Sequence, residues 1–363
     1  MANRNYMIAL LTTLVGLLAV ALVMVGLSAT GSGRAAAASV RPVAQIQTDG
    51  IVSSDAFTVC TEGGQQQAPA IYDDIVVWYD DRNSNWDIYG NSLTNTQEFT
   101  VCTDGEGQRL PDIYGDTVVW ADYRNTSIDI YGADLNTGQV FTVCTAAGTQ
   151  WGPAIFGEKA VWQDTRNDSG DIYGYALSAD ETFTVCTQSG SQQWPDIYGD
   201  VVVWQDQRAG GGEWDIYGYD LSNGQEFTVC TASGEQRTPA IYSDVVVWRD
   251  GRGADWDIYG YDLSSGREFT ICTASGNQSS PAIYGNVVVW QDDGGMDDDI
   301  YRYHLSKGQT FTICTALESQ RAPAISDDVV VWQDLRGGDL DIYGAHLRYP
   351  CYLPLVLRAW SGQ

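Results

Sequence analysis

The chain has 363 residues, of which 47 are Asp or Glu and 19 are Lys or Arg, so its formal net charge is -28. This balance excludes nucleic-acid binding, which needs clustered basic residues, and it disfavours an anionic membrane surface. Hydrophobic residues make up 44% and aromatic residues 12%, which is enough for a buried core and too much for a disordered chain. We therefore expect an acidic, folded and monomeric protein.

Residues 1–38 are typical of an export segment. Arg4 precedes an apolar run over residues 6–29, and small residues follow at 35–38. The apolar run, about 21 residues long, could also span a bilayer, so an uncleaved N-terminal membrane anchor stays an alternative to a signal peptide. Residues 39–55 are expected to be a linker. With either reading, the rest of the chain is predicted to be extracellular or anchored at the cell surface.

Three short strings recur seven times each, in fixed order, along residues 56–347. They are Phe-Thr-Val/Ile-Cys-Thr, a hydrophobic string that ends in Val-Trp, and Asp-Ile-Tyr. Successive cysteines of the first string are 42 residues apart, except for an interval of 44 between Cys186 and Cys230. The glycine-rich stretch 209–212 accommodates the two extra residues. A period near 42 is typical of the blades of a β-propeller.

The fifth repeat shows the predicted content of one blade. Turn-forming residues separate four candidate strands at 239–242, 245–248, 257–263 and 268–273. The second of them is a continuous β-branched run that ends at Trp248, and this predicts burial on both of its faces.

The two ends of the repeat array complement each other. The array begins on a fourth strand at residues 57–61, and it ends after a third strand at residues 341–347. The first strand can therefore complete the last blade and remove the open edge. The sequence predicts an all-β fold: a seven-bladed β-propeller with four-stranded antiparallel blades, closed by an N-terminal strand.

The repeat resembles a known family. Residues 195–221 carry Pro-x-Ile-Tyr-Gly-Asp, Val-Val-Trp-x-Asp-x-Arg and Asp-Ile-Tyr-x-Tyr-Asp-Leu in succession. This pattern is similar to the TolB-like (WD40-like) propeller repeats of bacterial and archaeal cell-surface proteins, and it covers residues 56–347. The resemblance implies a binding or scaffold role outside the cytoplasm, but no particular ligand.

The near-identity of the repeats argues against an active site in any one blade. We predict a non-enzymatic module that binds a protein or a carbohydrate at the cell surface. A lectin-like carbohydrate binder is one alternative. Another is a propeller-fold polysaccharide lyase or hydrolase, for which the resemblance implies a metal and a cluster of His and Arg in the central funnel. The two histidines, His304 and His346, occupy equivalent positions and are predicted to be surface residues.

Two kinds of side chain are candidates for ligand binding. An Asp lies two residues after each repeat Trp, and an Arg lies four after it in six repeats, which predicts a loop-tying ion pair or a ring of polar sites. A further Trp precedes Asp-Ile-Tyr in three repeats, where it could stack on a sugar or cap the interblade core. The candidate binding residues are Trp86, Trp214, Trp256, Arg82, Arg208 and Arg252.

The sixth repeat departs from the pattern, with Gly294 at the Arg position. Its loop over residues 292–299 holds five carboxylates among glycines, which could bind Ca²⁺ or form a solvated acidic loop. No other cofactor is expected. The candidate calcium ligands are Asp292, Asp293, Asp297, Asp298 and Asp299.

The seven repeat cysteines are predicted to be free, buried and packed as small hydrophobes. Equivalent positions on neighbouring blades are on the order of 15–20 Å apart, whereas a disulfide needs Cα atoms within about 7 Å. Cys351 lies in the tail, residues 348–363, which could dock on the propeller or serve as an attachment tag.

Overall fold

Twenty-eight β-strands form seven four-stranded antiparallel sheets in the computed structural model of the protein, which describes residues 56–167, 169–208 and 212–347. None of these residues forms a long apolar helix of the kind that crosses a membrane. The predicted export segment, the linker and the C-terminal tail lie outside the described residues.

Each blade contributes four strands, from the centre of the ring outwards. The innermost strands are β2 (Gln66–Tyr72), β6 (Gln108–Tyr114), β10 (Gln150–Phe156), β14 (Gln192–Tyr198), β18 (Gln236–Tyr242), β22 (Gln278–Tyr284) and β26 (Gln320–Ser326). The second strands are β3 (Ile75–Asp80), β7 (Thr117–Asp122), β11 (Lys159–Asp164), β15 (Val201–Asp206), β19 (Val245–Asp250), β23 (Val287–Asp292) and β27 (Val329–Asp334). The third strands are β4 (Asp87–Ser92), β8 (Asp129–Asp134), β12 (Asp171–Ala176), β16 (Asp215–Asp220), β20 (Asp257–Asp262), β24 (Asp299–His304) and β28 (Asp341–His346). The outermost strands are β5 (Gln97–Cys102), β9 (Gln139–Cys144), β13 (Glu181–Cys186), β17 (Gln225–Cys230), β21 (Arg267–Cys272), β25 (Gln309–Cys314) and β1 (Ala56–Cys60).

The ring is closed. Each innermost strand contacts the innermost strand of the next blade, and β26 of blade 7 contacts β2 of blade 1. Strand β1 pairs antiparallel with β28, with Phe57 opposite Gly344, and so completes blade 7. The Phe57 ring occupies the space above Gly344, where a Cβ atom would come within 2.6 Å of it. The predicted fold and its closure by the N-terminal strand are confirmed.

The second strands form the core between the blades. In blade 5, Val246, Val247 and Trp248 are all fully buried, and the tryptophan of every other second strand is too. This confirms the burial predicted from the β-branched run. The innermost strand of this blade starts at Gln236, three residues earlier than predicted, because a β-bulge with Thr238 at φ 50° carries the strand past Pro239.

The strand order defines two faces of the ring. The face that carries the connections between second and third strands is called here the loop face. The opposite face carries the turns between first and second strands and between third and fourth strands, and is called the turn face. Every candidate binding and metal residue named from the sequence belongs to the loop face.

Candidate functional site

An arginine on the loop face joins neighbouring blades in six of the seven blades. In blade 4 the Nη2 atom of Arg208 lies 2.6 Å from the Oδ2 atom of Asp206. The buried Asp206 carboxylate also accepts hydrogen bonds from the Trp204 indole and from the backbone N–H of Arg208, both at 2.8 Å. This arrangement is the charge-assisted pair predicted from the repeat.

The same guanidinium reaches the preceding blade. It lies 4.2 Å from the centre of the Tyr217 ring, and its Nη2 atom lies 3.1 Å from the Sγ atom of Cys186 in blade 3. We call this set of Asp, Tyr, Cys and Arg an arginine clip. The six clip arginines are Arg82, Arg124, Arg166, Arg208, Arg252 and Arg336.

The surroundings of the repeat cysteines differ in part from the prediction. All seven are free, as predicted, but six of them contact a guanidinium and do not pack only against hydrophobic groups. Burial raises the pKa of the Cys186 thiol to about 12, so this thiol stays neutral at physiological pH. Cys272 is half-buried, whereas the other six are buried.

The three candidate arginines are occupied by acids of their own chain. Arg82, Arg208 and Arg252 each hold a second carboxylate besides the clip aspartate. The pairs are Arg82–Glu98 at 2.5 Å, Arg208–Glu226 at 2.5 Å and Arg252–Glu268 at 2.7 Å. This geometry supports a structural role for these arginines, as ion pairs that tie the loops. A role in ligand binding stays a prediction.

The three candidate tryptophans each lie beneath a different, non-clip arginine. Arg109 lies 5.3 Å from the Trp86 ring centre, Arg237 lies 5.3 Å from Trp214, and Arg249 lies 4.6 Å from Trp256. Trp214 is only 7% exposed, whereas Trp86 and Trp256 are half-buried. Trp214 and Trp256 belong to one site in blades 4 and 5, and Trp86 lies apart from them in blade 1.

Arg237 and Arg249 stand directly opposite each other on β18 and β19. Like charges in such a cross-strand pair repel. Burial and the neighbouring Arg237 lower the pKa of Arg249. The Oε2 atom of Glu235 lies 2.8 Å from the Nε atom of Arg237, yet that N–H does not hydrogen-bond to it.

The Nε atom of Arg249 and the hydroxyl of Thr238 are likewise buried without a hydrogen-bond partner among the described residues. The side chains of Trp214, Arg237, Arg249 and Trp256 therefore form a row of two cations between two indoles. We call this row the tryptophan–arginine site. The sequence signal that could have found it is the presence of two non-clip arginines on the first two strands of one repeat in so acidic a chain.

The innermost strands enclose a central cavity of about 310 Å³. Aromatic rings line its turn-face end in six blades, with centroids 4.5–4.7 Å apart between neighbours, and Ser326 takes this position in blade 7. The six are Tyr72, Tyr114, Phe156, Tyr198, Tyr242 and Tyr284.

Two acids, Asp112 and Asp196, line the same cavity, where the other blades have Ala. Asp112 accepts a hydrogen bond from the backbone N–H of Ile155 at 2.8 Å, and Asp196 accepts one from Ile241 at 2.7 Å. Each acid thus satisfies an amide on the innermost strand of the next blade. Sequence reasoning missed them, although Pro-Asp-Ile in place of Pro-Ala-Ile marks both positions.

Burial raises the pKa of Asp112 to about 7 and that of Asp196 to about 6, from an ordinary value of 3.8. Both pKa values are higher in the folded chain than in the unfolded chain, so ionisation of these two acids destabilises the folded state. Their contribution to stability is complete below about pH 4 and is lost as the pH rises through 6 to 7.

We expect Asp112→Asn to stabilise the protein by about 1–3 kcal/mol at pH 8 and to have little effect at pH 4. Thermal melts at both pH values measure this, with the exposed Asp244→Asn as the control. A gain that is equal at both pH values would contradict the assignment.

The acidic loop of blade 6 does not gather its carboxylates. Asp293 accepts a hydrogen bond from the side chain of Asn277 at 2.8 Å, and Asp298 pairs with Arg321 at 2.5 Å. Among the described residues, no three acidic, histidine or cysteine side chains converge as metal ligands would. Calcium binding by Asp292, Asp293, Asp297, Asp298 and Asp299 stays a prediction.

Both histidines end third strands on the turn face, on the opposite side of the ring from the tryptophan–arginine site. The His346 side chain is 58% exposed and lies 3.8 Å from Asp328. His304 is half-buried, next to the Ser306 hydroxyl at 3.3 Å.

Solved structures share this architecture at low sequence identity. The β-propeller domain of the Trilobed protease from Pyrococcus furiosus superposes with a TM-score of 0.62 at 14% identity, over 80% of this chain and 98% of that one. Oligogalacturonate lyase from Vibrio parahaemolyticus gives 0.63 at 11% identity, over 84% and 96%.

TolB from Acinetobacter baumannii gives a TM-score of 0.50 at 17% identity, over 66% of this chain and 62% of TolB, so the chain spans less than two thirds of TolB. No protein-family model and no curated protein sequence matches the chain. The resemblance to TolB-like repeats is thereby confirmed at the level of the fold: the protein is a seven-bladed β-propeller, similar in fold to TolB and to other propeller proteins.

Proposed function

We propose that this protein is a non-enzymatic binding module, located outside the cytoplasm, that holds a carboxylated glycan at the tryptophan–arginine site. The observation that carries the proposal is the cross-strand pair of Arg237 and Arg249, two cations opposite each other in a chain of net charge -28. The predicted export segment supports the location.

A carboxylate suits this site on electrostatic grounds. Placed beside the two guanidinium groups, it would offset their repulsion and accept hydrogen bonds from their N–H groups. Acids are plentiful in the chain, yet among the described residues Glu235 is the one acid that forms an ion pair with either arginine. Glu235 supplies one negative charge beside two positive charges, and a bound anion would supply the second.

A sugar ring suits the site on geometric grounds. Trp256 is half-buried, so part of its indole is accessible and can stack on the apolar face of a pyranose. A uronate combines such a ring with a carboxylate. One solved structure with the same fold is an oligogalacturonate lyase, an enzyme named for a carboxylated glycan.

The position of the two histidines supports a binding role without catalysis. A lyase needs a base that abstracts a proton close to the bound carboxylate. Both histidines lie on the turn face, and Glu235, the acid paired at the site within the described part of the chain, already faces Arg237. A lyase therefore remains the alternative, and the binding experiment includes a result that would reveal it.

Calorimetric titration with a short oligogalacturonate at pH 7 tests the proposal. Arg249→Ala is expected to weaken binding about 30-fold, equivalent to about 2 kcal/mol, because the carboxylate loses one of its two cations. Arg321→Ala is the matched control, since Arg321 holds the position of Arg237 in blade 7 and should leave binding unchanged.

The methyl-esterified oligomer, which lacks the charge, is expected to bind much more weakly than the acid. Equal binding of ester and acid, or equal losses in both arginine variants, would refute the site. An unsaturated product accumulating in the ultraviolet spectrum would show a lyase and refute the non-enzymatic assignment.

A further inference from the structure

Blade 6 keeps the walls of an arginine clip but has lost the arginine. Gly294 occupies the clip position, and the walls are Cys272, Asp292 and Tyr301. In all six other blades the equivalent three side chains hold a guanidinium at 4.1–4.2 Å from the tyrosine ring centre. The protein itself therefore shows which chemical group this arrangement accommodates.

Blade 6 has kept one backbone hydrogen bond of the clip. The N–H of Gly294 donates to the Oδ1 atom of Asp292 at 2.8 Å, as the N–H of Arg208 does to Asp206. The Asp292 carboxylate is correspondingly placed, and it is only 8% exposed. Its hydrogen bond from Trp290 is 3.4 Å long, compared with 2.8 Å for the equivalent bond in blade 4.

The missing side chain also opens the walls to solvent. Cys272 and Asp299 are half-buried, whereas their equivalents in the six other blades are buried. The surroundings are strongly negative: burial and the neighbouring Asp292, Asp297 and Asp298 together raise the pKa of Asp299 to about 6. A cation from outside can therefore reach the Asp292 carboxylate and is attracted to it.

We propose that this space, the blade 6 socket, binds a guanidinium group presented by an arginine side chain of a partner protein. A planar guanidinium can place its N–H groups on the carboxylate while stacking on the Tyr301 ring, which a compact ammonium group or metal ion cannot do. The socket is distinct from the tryptophan–arginine site, since it lies between blades 5 and 6, uses none of the four side chains of that site and selects the opposite charge.

The half-buried thiol of Cys272 provides the test; burial raises its pKa to about 11, so the alkylation is followed at pH 9, where the thiolate fraction is larger than at pH 7. Alkylation of native full-length protein with N-ethylmaleimide, quantified on the Cys272 peptide by mass spectrometry, reports whether the socket is filled. Methylguanidinium at about twice its dissociation constant is expected to slow the reaction about threefold. Methylammonium at equal ionic strength is expected to leave it unchanged, and Asp292→Asn is expected to lose the protection.

A second variant guards against a general effect of the mutation on folding. Arg336→Gly recreates the socket in blade 7, so alkylation of Cys314 is expected to appear and to become sensitive to methylguanidinium. The reverse change, Gly294→Arg, is less suitable, because a Cβ atom at Gly294 would lie 2.7 Å from the carbonyl oxygen of Ser275.

Capped tripeptides Gly-Arg-Gly and Gly-Lys-Gly identify the source of the guanidinium. Protection by the arginine peptide alone supports a partner protein. Protection by methylguanidinium but by neither peptide overturns the partner and assigns the socket to a small molecule. Equal protection by methylguanidinium and methylammonium, or protection that survives in Asp292→Asn, overturns the socket itself.

Discussion

Replacing Asp334 with Asn in blade 7 is expected to lower the free energy of unfolding by about 3–5 kcal/mol. The Asp334 carboxylate is fully buried and lies 2.5 Å from the Nη2 atom of Arg336. It also accepts the Trp332 indole N–H at 2.8 Å. An amide would leave a guanidinium without its counter-charge between two blades, and it would present its NH₂ group to donors that need an acceptor.

The equivalent change in blade 6, Asp292→Asn, is the matched control. No clip arginine depends on Asp292, and burial already raises the pKa of this carboxyl, so we expect a loss below about 1 kcal/mol. Unfolding should be followed in urea, because guanidinium chloride would supply a ligand for the blade 6 socket. Equal losses in the two variants would show that the arginine clip contributes nothing to the difference between the blades.

Removing strand β1 is expected to have the other large effect. A chain that starts at residue 62 loses the buried side chains of Val59 and Cys60, together with the pairing of β1 to β28. The apolar burial alone is worth about 2 kcal/mol per side chain, and we expect a total loss of about 5 kcal/mol or more. The exposed edge of β28 should also promote aggregation.

A chain that starts at residue 55 keeps β1 and is the control. Urea unfolding and light scattering compare the two chains at equal concentration. A synthetic peptide of residues 55–61 should restore part of the lost stability, because it can occupy the vacant edge. If both chains unfold at the same urea concentration, closure by β1 does not stabilise the ring.

The sequence predicted the ring because its period, its strands and its two ends are all carried by repeated residues. The orphan strand at Phe57 and the incomplete blade that ends near Leu347 predicted their own pairing, which the structure contains. The clip aspartates and arginines were predicted as ion pairs for the same reason: each recurs at a fixed distance from its tryptophan.

The features that distinguish one blade from another were largely missed. Arg237 and Arg249 lie 12 positions apart in the chain, and only the register of β18 on β19 places them opposite each other. Asp112 and Asp196 each stand where the other blades have alanine, and only the folded ring shows that both line the same cavity. A comparison that looks for repeated residues treats such differences as variation, whereas the folded ring places them opposite each other or around one cavity.

Ring closure has a consequence for the order of folding. Ala56 pairs with Ala345, so the first strand of the propeller finds its partner only after the rest of the ring has been made. Blades 1 to 6 are each built from consecutive strands and can form locally, but joining the two ends carries the entropic cost of a loop that spans the entire domain. Closing the ring should therefore be the slow, final step of folding, and a nascent chain remains an open array of blades until blade 7 is complete.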